Sequence, residues 1–453
     1  MVFSSLLFLF WFLPIFFLIY YLAPPKCKNA VLLIGSIAFY GWGEPKYLIL
    51  IFVSIIVNYF AGILMERFSA KHLILILTLV YDFGALLVFK YTNFFIENIN
   101  GLFKTNINLV NITLPLGISF YTFQIASYII DLYKGKIKAE HNIATLGTYL
   151  CMFPQLIAGP IVVYSDVSDG LHKRMVSLNT IEDGIRIFIL GLGSKVLIAN
   201  NVGALWNTAE KIGYDKISMP LAWLSMIAYT LQIFFDFNGY SLMAIGLGKM
   251  LGFEFPKNFD FPYISRSLTE FWRRWHITLS TWFREYVYIP LGGNRKGELR
   301  TYINLFIVWF LTGFWHGASW NFVLWGLFFF IMLSIEKRSL HKVLDKHYMF
   351  SHIYSLLLIA MSWMIFAITD MSSLMLFFKS LFSFKFSDDI LYFGRNYIVV
   401  ILIGCILSTP VLKNVYEKNK RKPLGIIFSI AVLIVSVAYL TDATYNPFLY
   451  FRF

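Results

Sequence analysis

Apolar residues fall along this chain in long blocks, not on one helical face and not at every second position. The blocks lie near 4–22, 29–42, 46–65, 72–90, 112–132, 143–163, 181–203, 219–247, 301–314, 318–335, 353–384, 397–412 and 424–441. A helix needs roughly 20 apolar residues to cross hydrocarbon, so the blocks predict about 11 to 13 spans. A transmembrane β-barrel would instead alternate apolar and polar residues within short segments, and these blocks do not. The fold class expected is an all-α integral membrane protein: a multi-helix bundle with re-entrant and interfacial helices. The first block, SSLLFLFWFLPIFFLIYYLA, has neither a basic leader nor a small-residue cleavage pattern, so it is expected to stay as the first helix.

Short basic stretches separate the blocks. Those at 23–28, 66–72 and 133–142, placed on the cytoplasmic side, put the N-terminus outside. Counting back from KNVYEKNKRK (413–422) puts the C-terminus outside as well, with 248–300 cytoplasmic. The two counts agree if one block fails to cross. The candidate is 143–163, where Pro154, Gly159 and Pro160 would break a helix, as in a re-entrant segment.

Composition supports this reading. Of 453 residues, 58% are hydrophobic and 14% charged, too few charges to cover a soluble surface. The net charge of +13 sits in short loops, where it sets topology and meets anionic lipid headgroups of the bilayer; no nucleic-acid partner is expected. Cys27, Cys151 and Cys405 are far apart and lack metal-ligand spacing, so neither a disulfide framework nor a metal site is expected. No repeat, low-complexity tract or soluble module interrupts the chain, and residues 1–453 read as one polytopic domain.

Polar residues inside the blocks carry the candidate chemistry, because ionisable groups at membrane depth are expensive. His316 lies within FLTGFWHGASWNF (310–322), beside Trp315 and close to Asn321. SRSLTEFWRRWHITLSTWFREYVYIPLGGNR (265–295) places Leu268, Phe271, Trp272, Trp275, Leu279, Trp282, Phe283 and Tyr286 at helical spacing, with Thr269, Arg273, Ser280 and Arg284 opposite. It predicts one amphipathic helix at the cytoplasmic interface or dipping into the protein, ended by Pro290 and the Gly292-Gly293 pair. Its bland reading is an interfacial anchor. Its sharper reading is a donor surface in which Arg273, Arg274, Arg284 and Arg295, with Trp272 and Trp275, attract a phosphorylated group.

His276 stands inside that stretch. A buried histidine is ordinarily a core residue satisfied by a carbonyl, but an imidazole can also take a proton from a hydroxyl nucleophile. His72, His141, His172, His341, His347 and His352 lie in or beside polar loops and are read as solvated. A third polar cluster, Gln232, Asp236, Asn238, Tyr240 and Ser241, interrupts the block 219–247. Gln124 and Asp131 raise the same question in 114–135. No nucleotide-binding loop, Rossmann fingerprint or nucleophile elbow is present.

Taken together, LPLGISFYTFQ, FPQLIAGPIV, FFDFNGYSLMAIGLG, FWRRWHITLSTWFREYVYIPLGGNR, TGFWHGASWNFVLWG and the terminal YNPFLYFRF resemble the membrane-bound O-acyltransferase family, in its bacterial polysaccharide O-acetylating branch. MVFSSLLFLFWFLPI and FYGWGEPKY fit too, so the resemblance spans nearly the whole chain. Asn238 stands where many relatives carry a serine. The resemblance implies that His316 is the essential histidine, that His276 is the second, polar one, and that the bundle surrounds a central tunnel. It also implies acetyl-CoA as donor, the bacterial inner membrane as location, and a separate periplasmic or extracellular acetyltransferase that finishes transfer to sugar.

The function expected is acetyl relay from cytoplasmic acetyl-CoA to an outward-facing acceptor, for O-acetylation of a cell-wall or exported polysaccharide such as peptidoglycan or alginate. Within the family the alternative is D-alanyl transfer to teichoic acid. From another class, the alternative is a transporter or flippase, but the paired halves common in transporters are not visible. The aromatic tail TYNPFLYFRF is expected to pack back on the protein or on its partner, through Tyr450, Phe451, Arg452 and Phe453.

Overall fold

The computed structural model describes residues 1–442 and Leu449; Tyr450, Phe451, Arg452 and Phe453 lie outside the described residues. Helices dominate, with no strand among the described residues. Among the described residues, seven helices are long and apolar enough to cross a membrane: Pro45–Arg67, Lys71–Phe103, Leu178–Ile212, Met219–Leu251, Tyr348–Ala367, Asp389–Leu407 and Pro423–Asp442. The protein is therefore a multi-pass, all-α membrane protein. Other apolar blocks form shorter helices, such as Lys28–Gly43, Ile118–Tyr133 and Trp320–Ile335. The block 353–384 divides into Tyr348–Ala367 and Met371–Ser380.

Residue contacts group the chain into two compact units: residues 1–188 with 241–256, and residues 189–240 with 257–453. In the first unit, a cluster of phenylalanines surrounds Phe153, with Phe16, Phe39 and Phe12 ring centroids at 5.1, 5.4 and 5.5 Å. Phe153 begins the second part of a broken segment. Helix Ile143–Cys151 stops at Met152, four residues Phe153–Leu156 turn again, and the chain then runs irregularly to Tyr164. Neither piece is long enough to span hydrocarbon.

Broken backbone in an apolar interior must find its hydrogen bonds within the protein. Here Phe153 N–H donates to Ser36 Oγ at 3.1 Å, Gln155 Nε2 to the Tyr149 carbonyl at 2.6 Å, and Tyr149 hydroxyl to the Val162 carbonyl at 3.1 Å. Gly117 closes against this segment at φ +77°, where an added Cβ would collide with the Leu156 carbonyl oxygen. The expectation that 143–163 is not a single crossing helix agrees with this geometry.

The stretch 265–295 differs from expectation. It is not one helix but Leu268–Arg274, a break, Ile277–Phe283, and a wider turn Arg284–Tyr288. The break is at His276, whose φ of 43° and ψ of 53° are left-handed. Residues 258–260 run beside the break and take up the freed backbone groups: Asp260 N–H donates to the Arg274 carbonyl and Ile277 N–H to the Asn258 carbonyl, both at 2.9 Å. Helical spacing of the aromatics is satisfied piecewise, so periodicity alone did not reveal the break.

Gly117→Ala combines a left-handed backbone with a clash against backbone oxygen. The expected cost is about 2–4 kcal/mol. It would appear as a lowered unfolding midpoint of the purified protein in detergent; an unchanged midpoint contradicts the packing described.

Candidate active site

The site is built on a helical hairpin of the second unit, Glu298–His316 and Trp320–Ile335. The two helices touch backbone to backbone: a Cβ on Gly313 would collide with the Phe322 carbonyl oxygen, and one on Gly326 with that of Trp309. Small residues at such crossings are how membrane helices gain contact without a hydrophobic driving force. His316 is the last residue of the first helix and is buried. Its ring packs edge-on against Trp325 and Phe366, with centroids at 5.0 and 5.2 Å. Asn321 donates from Nδ2 to the carbonyls of Ile365 and Phe366, at 3.1 and 3.0 Å, and so fixes the helix end that carries Phe366.

His316 faces a small cavity of about 20 Å³, lined also by Asp236, Trp275, Trp325, Phe366 and Leu449. That is room for about one water-sized group. The walls are chiefly aromatic, and among the described residues Asp236 is the one acid on them.

His276 stands nearby in the same unit, and Trp315 lies between the two histidines. Its ring centroid is 5.0 Å from His316 and 6.2 Å from His276. His276 is fully buried, and its Nδ1 lies 3.0 Å from Asn258 Oδ1. The same oxygen accepts from Thr278 Oγ1 at 2.9 Å and from the Thr278 amide at 3.4 Å, so it is an acceptor throughout. Nδ1 therefore carries the proton, and Nε2 is left as an acceptor with no partner among the described residues. Burial pushes the His276 pKa well below the ordinary imidazole range, so the ring is neutral.

A second cavity, of about 760 Å³, is lined by Trp272, Arg273, Tyr288, Asn294, Lys337 and His341, among others. Buried Glu336 forms part of its wall but is engaged: it accepts from the amides of Leu268 and Thr269, at 2.7 and 3.0 Å, and so caps the Leu268–Arg274 helix. Arg273, Lys337 and His341 line it together with Asp345, the other acid on its wall. The linings of the two cavities touch through a pair of indoles. Trp272 lines the large one and Trp325 the small one, with centroids 5.6 Å apart in a T-shaped contact.

Among the residues singled out from sequence, His316, Asp236 and Trp275 line one cavity, and Trp272 and Arg273 the other. Trp315 joins the two histidines. Arg274 is turned away into a pair with Glu270 at 2.9 Å, and Arg284 is largely exposed beside Glu285. Gln232 is buried against Gly203, Tyr240 is buried, and Asn238 is partly buried. Sequence reasoning passed over Lys195, Asn258, Trp325, Trp363, Phe366, Lys337 and Leu449. Lys195 carried a usable signal, a lysine inside the block 181–203. His341 was read as solvated; it is exposed but borders the large cavity.

The profile of the MBOAT, membrane-bound O-acyltransferase family, matches residues 136–378, more than half of the chain. The chain is 40% identical to the probable alginate O-acetylase AlgI of Pseudomonas aeruginosa, over 85% of this chain and 75% of that protein. It is 32% identical to the peptidoglycan O-acetyltransferase of Helicobacter pylori, over 100% of this chain and 98% of that one. The chain belongs to the membrane-bound O-acyltransferase family. It is thus an O-acyltransferase, and the transporter reading gives way to an enzymatic one. The teichoic acid D-alanyltransferase of Streptococcus thermophilus is 31% identical over 50% of this chain and 58% of its own.

Asn258→Leu removes the acceptor shared by His276 and Thr278. We expect a loss of about 1–3 kcal/mol in stability and a clear fall in acyl transfer per folded molecule. Thermal unfolding in detergent and acetyl incorporation at matched protein level check both; wild-type values for the two would contradict the tautomer assigned to His276.

Proposed function

We propose that the chain transfers acetyl from cytoplasmic acetyl-CoA to an acceptor hydroxyl presented on the outer side of the bacterial inner membrane, with His316 as the general base. The observation that carries this reading is His316 itself, buried at the end of its helix on the wall of the small aromatic cavity. In the proposed step the acceptor oxygen attacks the thioester carbonyl and its proton passes to His316. The C–S bond then breaks, and the departing thiolate recovers that proton. His276, neutral and with Nε2 as an acceptor, orders the second face of Trp315 and positions the donor.

The polar cavity suits the donor's phosphorylated part. Arg273 and Lys337 supply cations for phosphate, and Trp272 supplies an aromatic face. The acyl end would reach His316 past the Trp272–Trp325 contact. Arg274 and Arg284, held by Glu270 and Glu285, would then contribute only to the general field. The loop charges support a cytoplasmic 248–300 and outer termini.

The relatives named for alginate and peptidoglycan O-acetylation support an exported or cell-wall polysaccharide as final acceptor. The teichoic acid relatives match only about half of this chain, so D-alanyl transfer is the weaker reading. A separate outer acetyltransferase would complete the last transfer to sugar.

His316→Ala is expected to lower polysaccharide O-acetylation by about 100-fold or more while the protein stays folded and inserted. Ester-linked acetate on cell wall and capsule from a complemented deletion strain measures it, and wild-type acetate from a well-expressed variant would overturn the assignment. Lys337→Ala and Arg273→Ala should each raise the KM for acetyl-CoA about tenfold with a smaller change in kcat. Equal KM values in membrane vesicles would remove the large cavity from donor binding.

A further inference from the structure

Lys195 is buried in the second unit, within the wide turn Ser194–Ala199 that interrupts the helical run from Leu178 to Ile212. Its ammonium lies 2.6 Å from Asp236 Oδ1 and donates to Asn200 Oδ1 at 2.9 Å. Helix Met219–Leu251 reaches this turn backbone to backbone. A Cβ on Gly239, one turn beyond Asp236, would lie 2.8 Å from the Gly191 carbonyl oxygen and 3.1 Å from Lys195 N. The other carboxylate oxygen of Asp236 accepts from the Leu449 amide at 2.8 Å. Asp236 and Leu449 both line the cavity that His316 faces.

We propose that Lys195 is a positioning residue for acyl transfer: by holding Asp236 it aims the second carboxylate oxygen at the Leu449 amide, and so fixes two walls of the His316 cavity. The inference rests on the reading of that cavity as the acyl-transfer site. A carboxylate with no cation at this depth would be neutralised or would turn toward water. Either outcome weakens the charge-assisted bond to the Leu449 amide and loosens a wall of the cavity that the base lines. Lys195 itself does not line the cavity, so its effect passes through Asp236. The close approach at Gly239 brings the two side chains into register, and the wide turn supplies the extra backbone room that the lysine needs.

Membrane vesicles carrying the full chain and its natural acceptors, with radiolabelled acetyl-CoA as the probe, test this. Lys195→Met should lower the maximal rate about tenfold or more at equal folded protein, with KM for acetyl-CoA unchanged, since misplacement by an ångström is enough for such a loss. Lys195→Arg, which keeps the cation, should retain about a third of the rate or more. Leu449→Pro deletes the amide donor and should reproduce the Lys195→Met defect. The double variant should be no worse than the poorer single, because both act through one link. A Lys195→Met rate within twofold of wild type, or multiplicative losses in the double variant, would overturn the inference while an inactive His316→Ala left the site reading standing. An active His316→Ala would overturn the site reading itself. If Lys195→Met fails to accumulate, Leu449→Pro alone decides, and a full rate from it rejects the link.

Discussion

The arrangement around His316 depends on two helices meeting without side chains between them. Gly313 and Gly326 let Glu298–His316 and Trp320–Ile335 cross in backbone contact, and that contact sets where the first helix ends relative to Trp325. A larger residue at either glycine would push the hairpin apart by roughly the size of a methyl group, more than the small cavity can absorb. Packing of this kind replaces the hydrophobic effect, which is weak between helices already surrounded by lipid. Asn321 then fixes the third helix of the site to the hairpin by two carbonyl bonds. The imidazole is held by geometry set one and two turns away from it.

Polar satisfaction is the second constraint, and it explains where the backbone departs from regular helix. His276 occupies a left-handed conformation that costs a residue with a Cβ roughly 1–2 kcal/mol. The return strand of chain at 258–260 offsets this, because Asn258 serves the His276 ring, Thr278 and the Ile277 amide together. The broken segment after Ile143 follows the same logic with Ser36, Gln155 and Tyr149. Breaks in this protein are placed where a side chain from elsewhere can close them.

Much of this was legible in the sequence, for reasons that differ by element. Long apolar blocks forecast helices because water-free backbone has no alternative, and titratable residues inside them marked His316, His276 and Asp236 as exceptional. The break at His276 was not legible. Left-handed residues are recognised by glycine or asparagine, and a tryptophan-flanked histidine gives no such sign. Nor could spacing separate Arg273 from Arg274, since neighbouring residues point about 100° apart and only the partner Glu270 decides which one is engaged. Lys195 and Leu449 escaped because each acts through a contact distant in sequence: Asp236 to Leu449 spans 213 residues.

The two cavities have opposite chemistry, and an acyl transferase needs both. On the proposed reading, a phosphorylated donor would be held by cations in the roomy site, open to exchange with the cytoplasm. A thioester in such a site would also meet water, which competes with the acceptor hydroxyl. Passing only the acyl end beyond the indoles of Trp272 and Trp325 would separate binding from reaction. In the small cavity there is room for about one water-sized group, so an acyl group that enters displaces the competing nucleophile. On the proposed reading, the buried Asp236 there, paired with Lys195, would add a fixed dipole without adding net charge, which would otherwise repel a developing oxyanion. Selectivity for transfer over hydrolysis would then follow from volume and charge balance together.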